Sequence, residues 1–152
     1  MDVKELPVVR ALLSETLSLM TAPPVNLGVI CRFLDIAVYE QPCSSFGAIL
    51  VRRDGRRVIL VNASLPQGRA RFSIAHELGH FLLRHPPVSH VSDFCARSLE
   101  RQADRFAAEL LMPRELIASD RLRLDGAALK RLYRVSQQAL DIRLEGLKRF
   151  SA

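Results

Sequence analysis

Long uninterrupted hydrophobic runs are missing from this chain of 152 residues. The apolar stretch nearest the start, Ala11 to Ala22, is interrupted by Glu15 and falls well short of the roughly 20 residues that cross a bilayer. Neither a transmembrane helix nor a signal peptide is expected, and no membrane partner. Cysteine is scarce as well. Cys31, Cys43 and Cys95 are an odd number with no C-x-x-C pair, which argues against a disulfide framework and against a cysteine zinc site. A reducing cytoplasm is the expected location. The length suits one compact domain with a real core and is too short for two comfortable ones.

Acidic residues are in deficit, with 22 Lys and Arg against 16 Asp and Glu and a formal charge of +6. The excess sits late in the chain. From Ser119 onward, eight basic residues (Arg121, Arg123, Lys130, Arg131, Arg134, Arg143, Lys148, Arg149) face four acids (Asp120, Asp125, Asp141, Glu145), a net +4. Such a charge suits nucleic acid, an anionic membrane or an acidic protein, but a solvated helical surface is the plainer account.

What is present is the stretch Ala75-His76-Glu77-Leu78-Gly79-His80, an H-E-x-x-H sequence. Phe72, Ala75, Leu78, Gly79, Leu82 and Leu83 recur at three- and four-residue spacing and predict a helix from about Arg69 to Arg84 with one buried side. Residues four apart lie one turn apart on one helix face, so His76 and His80 can offer ring nitrogens to a single Zn2+ ion. Zinc lowers the pKa of a bound water to about 7, and a carboxylate at Glu77 can take its proton as it attacks a peptide carbonyl. The chemistry this predicts is amide hydrolysis without a covalent intermediate.

A third ligand has to come from a second helix. Ser98 can cap a helix from Leu99 to Met112, closed by Pro113. Glu100, Ala103, Ala107 and Leu110 fall on one stripe of it, with Asp104 one turn beyond Glu100. Glu100 is placed to be the third ligand, and small Ala103 and Ala107 let the helices approach. Asp104 can accept the free ring N–H of a ligand histidine, preferably His76, fixing its tautomer.

Around these helices the chain reads as follows. A helix runs from Pro7 to Pro23-Pro24, a second covers Leu27 to Leu34, and Ile36 to Tyr39 is a short strand. Phe46 to Val51 and Val58 to Val61 are two further strands joined across Asp54-Gly55, a strong hairpin signal. Val88 to Phe94 has no clear period and is expected to be a loop beside the active site. The fold class is α+β: a minimal zincin-like metallopeptidase domain, with a small three-stranded, mostly antiparallel sheet packed on helices and a helical C-terminal tail. Residues 1–118 are expected to form the zinc domain and 119–152 a basic helical extension packed on it.

The runs Arg69 to His80 (RARFSIAHELGH), Glu100 to Pro113 (ERQADRFAAELLMP) and Val135 to Leu147 (VSQQALDIRLEGL) together resemble the ImmA/IrrE metallo-endopeptidases. The resemblance covers most of the chain from Phe46 onward. One departure is Gln102, at a position often acidic in relatives. The resemblance implies a gluzincin-like site with one zinc on His76, His80 and Glu100, and Glu77 as base. It also implies a protein substrate, a helix-turn-helix repressor cut at one site so that a prophage, mobile element or stress response is released.

The tail from Leu129 to Leu147 has the outline of a helix-turn-helix capped by Ser136, in which Arg134, Gln137, Gln138, Asp141 and Arg143 would face DNA. Packing on the catalytic domain is the preferred account, since nothing in the tail specifies base readout. The rivals to the protease are a DNA-binding regulator with a structural or vestigial metal site and a protein that inhibits a partner by occupying it. His90, Tyr133 and Arg97 are candidates for holding the oxyanion or substrate.

Overall fold

A computed structural model describes residues 22–149 of the chain. The helix expected from Pro7 lies outside the described residues, up to the bends at 22–24. Helix α1 (Leu27–Phe33) starts at Asn26, whose side chain accepts from the Val29 N–H, and buries Leu27, Ile30 and Cys31. Strand β1 (Ile36–Gln41) follows, then β2 (Ala48–Arg53) and β3 (Arg56–Asn62). Asp54 and Gly55 both have positive φ, 51° and 74°, as a tight two-residue hairpin turn requires.

The three strands form one sheet in the order β1–β3–β2, with β2 antiparallel and β1 parallel to β3. The sheet is therefore mixed. The hairpin carries β3 back between its two predecessors, and because β1 and β2 run in opposite senses on either side of it, one pairing has to be parallel. Ile59 and Val61 are buried on the inward face beside Ala48 and Leu50, their registered partners being Leu50 and Ala48. At the open end of that face Arg52 and Arg57 lie over the Phe81 ring, 5.2 and 5.4 Å from its centroid.

Helix α2 (Gln67–Leu82) crosses this inward face. A short 3-10 turn at Val88–His90 leads to α3 (Asp93–Leu111). The second long helix thus begins about six residues earlier than Ser98 would place it. Ser92 is the cap, accepting from the Cys95 N–H, and Asp93 sits in the first turn. This first turn shows no period in the sequence because it buries nothing: Phe94 is 72% exposed. Farther along, Ala103, Phe106, Ala107 and Leu110 are buried, and the helix packs along α2.

The chain ends in α4 (Arg114–Asp120), α5 (Gly126–Tyr133) and α6 (Gln137–Arg149). Leu129, Tyr133, Val135, Ala139, Leu140 and Leu147 share one apolar core with Leu78, Phe106 and Met112. Arg143, read as a residue that would face DNA, points inward instead: its Nε donates to the Met112 carbonyl at 3.0 Å and its Nη2 to the Glu109 carboxylate. At the start of α2, a Cβ on Gly68 would stand 2.7 Å from backbone atoms of Val135 and Ser136, so the α5–α6 turn rests on the helix that carries His76. Among the described residues, no helix is long and apolar enough to cross a membrane.

Candidate metal centre

Helices α2 and α3 approach closely at Gly79, where a Cβ would lie 3.2 Å from the Ala103 Cα and 3.1 Å from the Phe106 ring. Absence of a side chain at 79 and a methyl at 103 bring the two backbones together one turn away from Glu100. The ligand atoms converge there. His76 Nε2 and His80 Nε2 are 2.9 Å apart, and the Glu100 oxygens lie 3.2 Å from the first and 3.3 Å from the second. These three residues form a group able to hold a metal ion. Four ligand atoms held by tetrahedral zinc at about 2.0–2.2 Å stand roughly 3.3–3.6 Å apart, and each of these three spacings, the last two to different oxygens of Glu100, is within a few tenths of an ångström of that range. Two neutral imidazoles and one carboxylate are also the donor types that zinc takes at sites keeping an open position.

Each imidazole is held from its far side. His76 Nδ1 lies 2.8 Å from Asp104 Oδ1, as the spacing along α3 predicts. His80 Nδ1 lies 2.9 Å from the Nδ1 of His85, a contact that sequence reasoning missed. The only signal for it was proximity: His85 follows His80 by five residues, a separation that does not share a helix face and becomes a contact only if the helix stops. Helix α2 does stop, with Leu83 as its cap and Arg84 left-handed at φ 55°.

Glu77 is fixed by the sheet. The Leu50 N–H of edge strand β2 donates to its Oε2 at 3.0 Å. Burial pushes the Glu77 pKa up, opposed by that hydrogen bond and by His76. Burial also works against charge on His76, but Asp104, Glu100 and Glu77 outweigh it and raise its pKa. At His80, burial and the neighbouring His76 win and the pKa falls.

The three candidates for oxyanion support do not gather here alike. Tyr133 is fully buried in the core, and its hydroxyl is engaged elsewhere, donating to Asp120 Oδ2 at 2.7 Å. His90 is exposed on the 3-10 turn, and Arg97 is exposed on α3 one turn ahead of Glu100.

Residues 31–145 match a peptidase family described as the IrrE N-terminal-like domain. The chain belongs to this family. No curated protein matches the sequence. A solved structure, the Mycobacterium tuberculosis transcriptional regulator, is similar with a TM-score of 0.61 and 17% sequence identity, over 88% of this chain and 45% of that one. At that identity the likeness concerns the fold, and the chain spans less than half the length of that protein. The IrrE-like match covers β1 through most of α6, so the sheet, both metal-site helices and the terminal helices all belong to the family unit.

Proposed function

We propose that this IrrE-like chain is a zinc-dependent endopeptidase that holds one Zn2+ through His76, His80 and Glu100 and uses Glu77 as its general base. The observation that carries the reading is the convergence of two imidazole nitrogens and a carboxylate from two helices, with Glu77 beside them on the chain. When bound, zinc supplies Lewis acidity, lowering the pKa of a water to about 7 and polarising the scissile carbonyl. The protein's own residues do the rest. Asp104 accepts from His76 Nδ1 and so holds its Nε2 lone pair towards the other ligands. The Leu50 N–H orients the Glu77 carboxylate, whose burial keeps it a base strong enough to take the proton of the attacking water and pass it to the leaving amine. His90 and Arg97 are the exposed donors to substitute in a search for the group that steadies the oxyanion.

The substrate in this reading is a helix-turn-helix repressor, cut at a specific site in a reducing cytoplasm. The family supports a protein substrate, and one solved structure that shares the fold is called a transcriptional regulator. Residues 119–152 are then an extension that packs on the catalytic part and shapes the groove, a reading supported by the inward-facing Arg143 and the shared core. Of the five residues that the rival DNA-binding reading turns towards DNA, Arg143 points inward, whereas Arg134, Gln137, Gln138 and Asp141 are exposed. Incubating the purified chain, with and without zinc, with the repressor encoded beside its gene tests the proposal. Glu77→Gln should keep the fold and zinc yet lower cleavage by about 10²–10⁴-fold, and unaltered cutting by that variant would rule out the assigned base.

A further inference from the structure

Helix α2 is terminated by a paired hydrogen-bond motif: the Arg84 N–H donates to the Phe81 carbonyl at 3.2 Å and the His85 N–H to the His80 carbonyl at 3.0 Å. With Arg84 left-handed, this is a Schellman ending, in which the second residue past the cap folds back over the residue three places before it. That position usually makes an apolar contact. Here the two residues are His85 and His80, and the fold-back sets their Nδ1 atoms 2.9 Å apart.

Of two ring nitrogens in contact, one must donate. If His80 binds metal through Nε2, its single proton sits on Nδ1, so His80 is the donor and His85 Nδ1 the acceptor. His85 is then committed to carrying its own proton on Nε2. That atom is buried without a hydrogen-bond partner, and the Gln102 side chain from α3 is the polar group beside the ring. A neutral acceptor has a consequence at this place. Glu77, Glu100 and Asp104 already bring three carboxylates around His76, one negative charge more than a divalent ion neutralises, and an uncharged imidazole adds none.

We propose that His85 is a positioning residue for His80, accepting its Nδ1–H so that Nε2 stays aimed at the metal, and that the helix-ending turn at Arg84 is the device that puts it there. The inference rests on the ligand set of the proposed function. The two ligand histidines are thereby held in different ways, His76 by a carboxylate on the neighbouring helix and His80 by an imidazole at the end of its own.

The test compares zinc dissociation constants by chelator competition for the native chain, His85→Leu and His85→Asn, with apo thermal midpoints as the control for folding. Asparagine places an acceptor oxygen near the Nδ1 position, and leucine fills the space without one. Loss of a group that orients a ligand histidine typically weakens metal binding about 10–100-fold, so His85→Leu should fall in that range while His85→Asn stays within about threefold of native. In the zinc-loaded native chain, proton–nitrogen correlation spectra should show His85 as the Nε2–H tautomer and His80 as Nδ1–H. Native binding with His85→Leu equally tight would overturn the inference and leave the ligand set standing. His85→Asn as weak as His85→Leu would show that ring volume, not the hydrogen bond, matters, and would overturn it too. A native chain that takes up no zinc would end the ligand assignment and this inference together.

Discussion

Replacing glycine by alanine inside a helix is ordinarily stabilising by about 0.5–1 kcal/mol, because alanine loses less backbone freedom on folding. Two helical glycines of this chain should respond with opposite signs. Gly146 lies in α6 with nothing within 4 Å of its missing Cβ, so Gly146→Ala should give the full gain. At Gly79 the added methyl would stand 3.1 Å from the Phe106 ring and 3.2 Å from both the Cα and carbonyl oxygen of Ala103. Two of those three atoms are backbone of α3 and cannot rotate away, so the helix itself has to shift by a few tenths of an ångström. Overpacking of that kind costs about 1–3 kcal/mol, which exceeds the propensity gain and leaves a net loss of about 1 kcal/mol. For a chain of this size that is roughly 2–4 °C in melting temperature, downward for Gly79→Ala and upward for Gly146→Ala. The same displacement carries Glu100 away from the imidazoles, so Gly79→Ala should also weaken zinc binding, whereas Gly146→Ala should not. Thermal melts of the apo proteins with parallel chelator titrations measure both quantities. Equal stabilisation by the two substitutions would refute the claim that close approach of α2 and α3 at Gly79 sets the site.

Asp104→Ala removes the acceptor at His76 Nδ1 and should weaken zinc binding by about 10–100-fold with the fold intact by circular dichroism; unchanged affinity would remove Asp104 from the site. Tyr133→Phe deletes a buried bond to the Asp120 carboxylate and should cost about 1–3 kcal/mol in urea denaturation while zinc uptake stays as it was; an altered zinc affinity would return Tyr133 to the centre. Burial pushes the Cys31 thiol up to about 11 from 9.0. The unfolded chain therefore loses this proton first, and stability should decline as pH rises from 9 towards 11, by roughly 2 kcal/mol through this group. Native-state alkylation checks the same burial: exposed Cys95 should react readily and Cys31 only on unfolding.

Local order was largely legible from the residues. Apolar spacing identified α2, the Asp54-Gly55 pair identified the hairpin, and Glu100 and Asp104 stood out because one helix turn separates them and each has a counterpart on the H-E-x-x-H helix. The early turns of α3 were not legible, since Ser92 begins a helix whose first face is exposed and leaves no apolar rhythm. Which pairing of the mostly antiparallel sheet would be parallel was not legible either, because an alternating strand does not state which neighbour it will take.

By itself the sequence determined which atoms can act: the residue types at 76, 77, 80, 100 and 104, and their periods, which are properties of a 3.6-residue turn and need no tertiary contact. The tertiary structure alone decided where the remaining polar groups go. It drew Arg143 inward to Met112 and Glu109, buried Tyr133 on Asp120, and folded His85 back onto His80. Those outcomes depend on distances between segments far apart in the chain, or on a left-handed turn at Arg84 that its residue type does not announce. Periodicity carries no information about either.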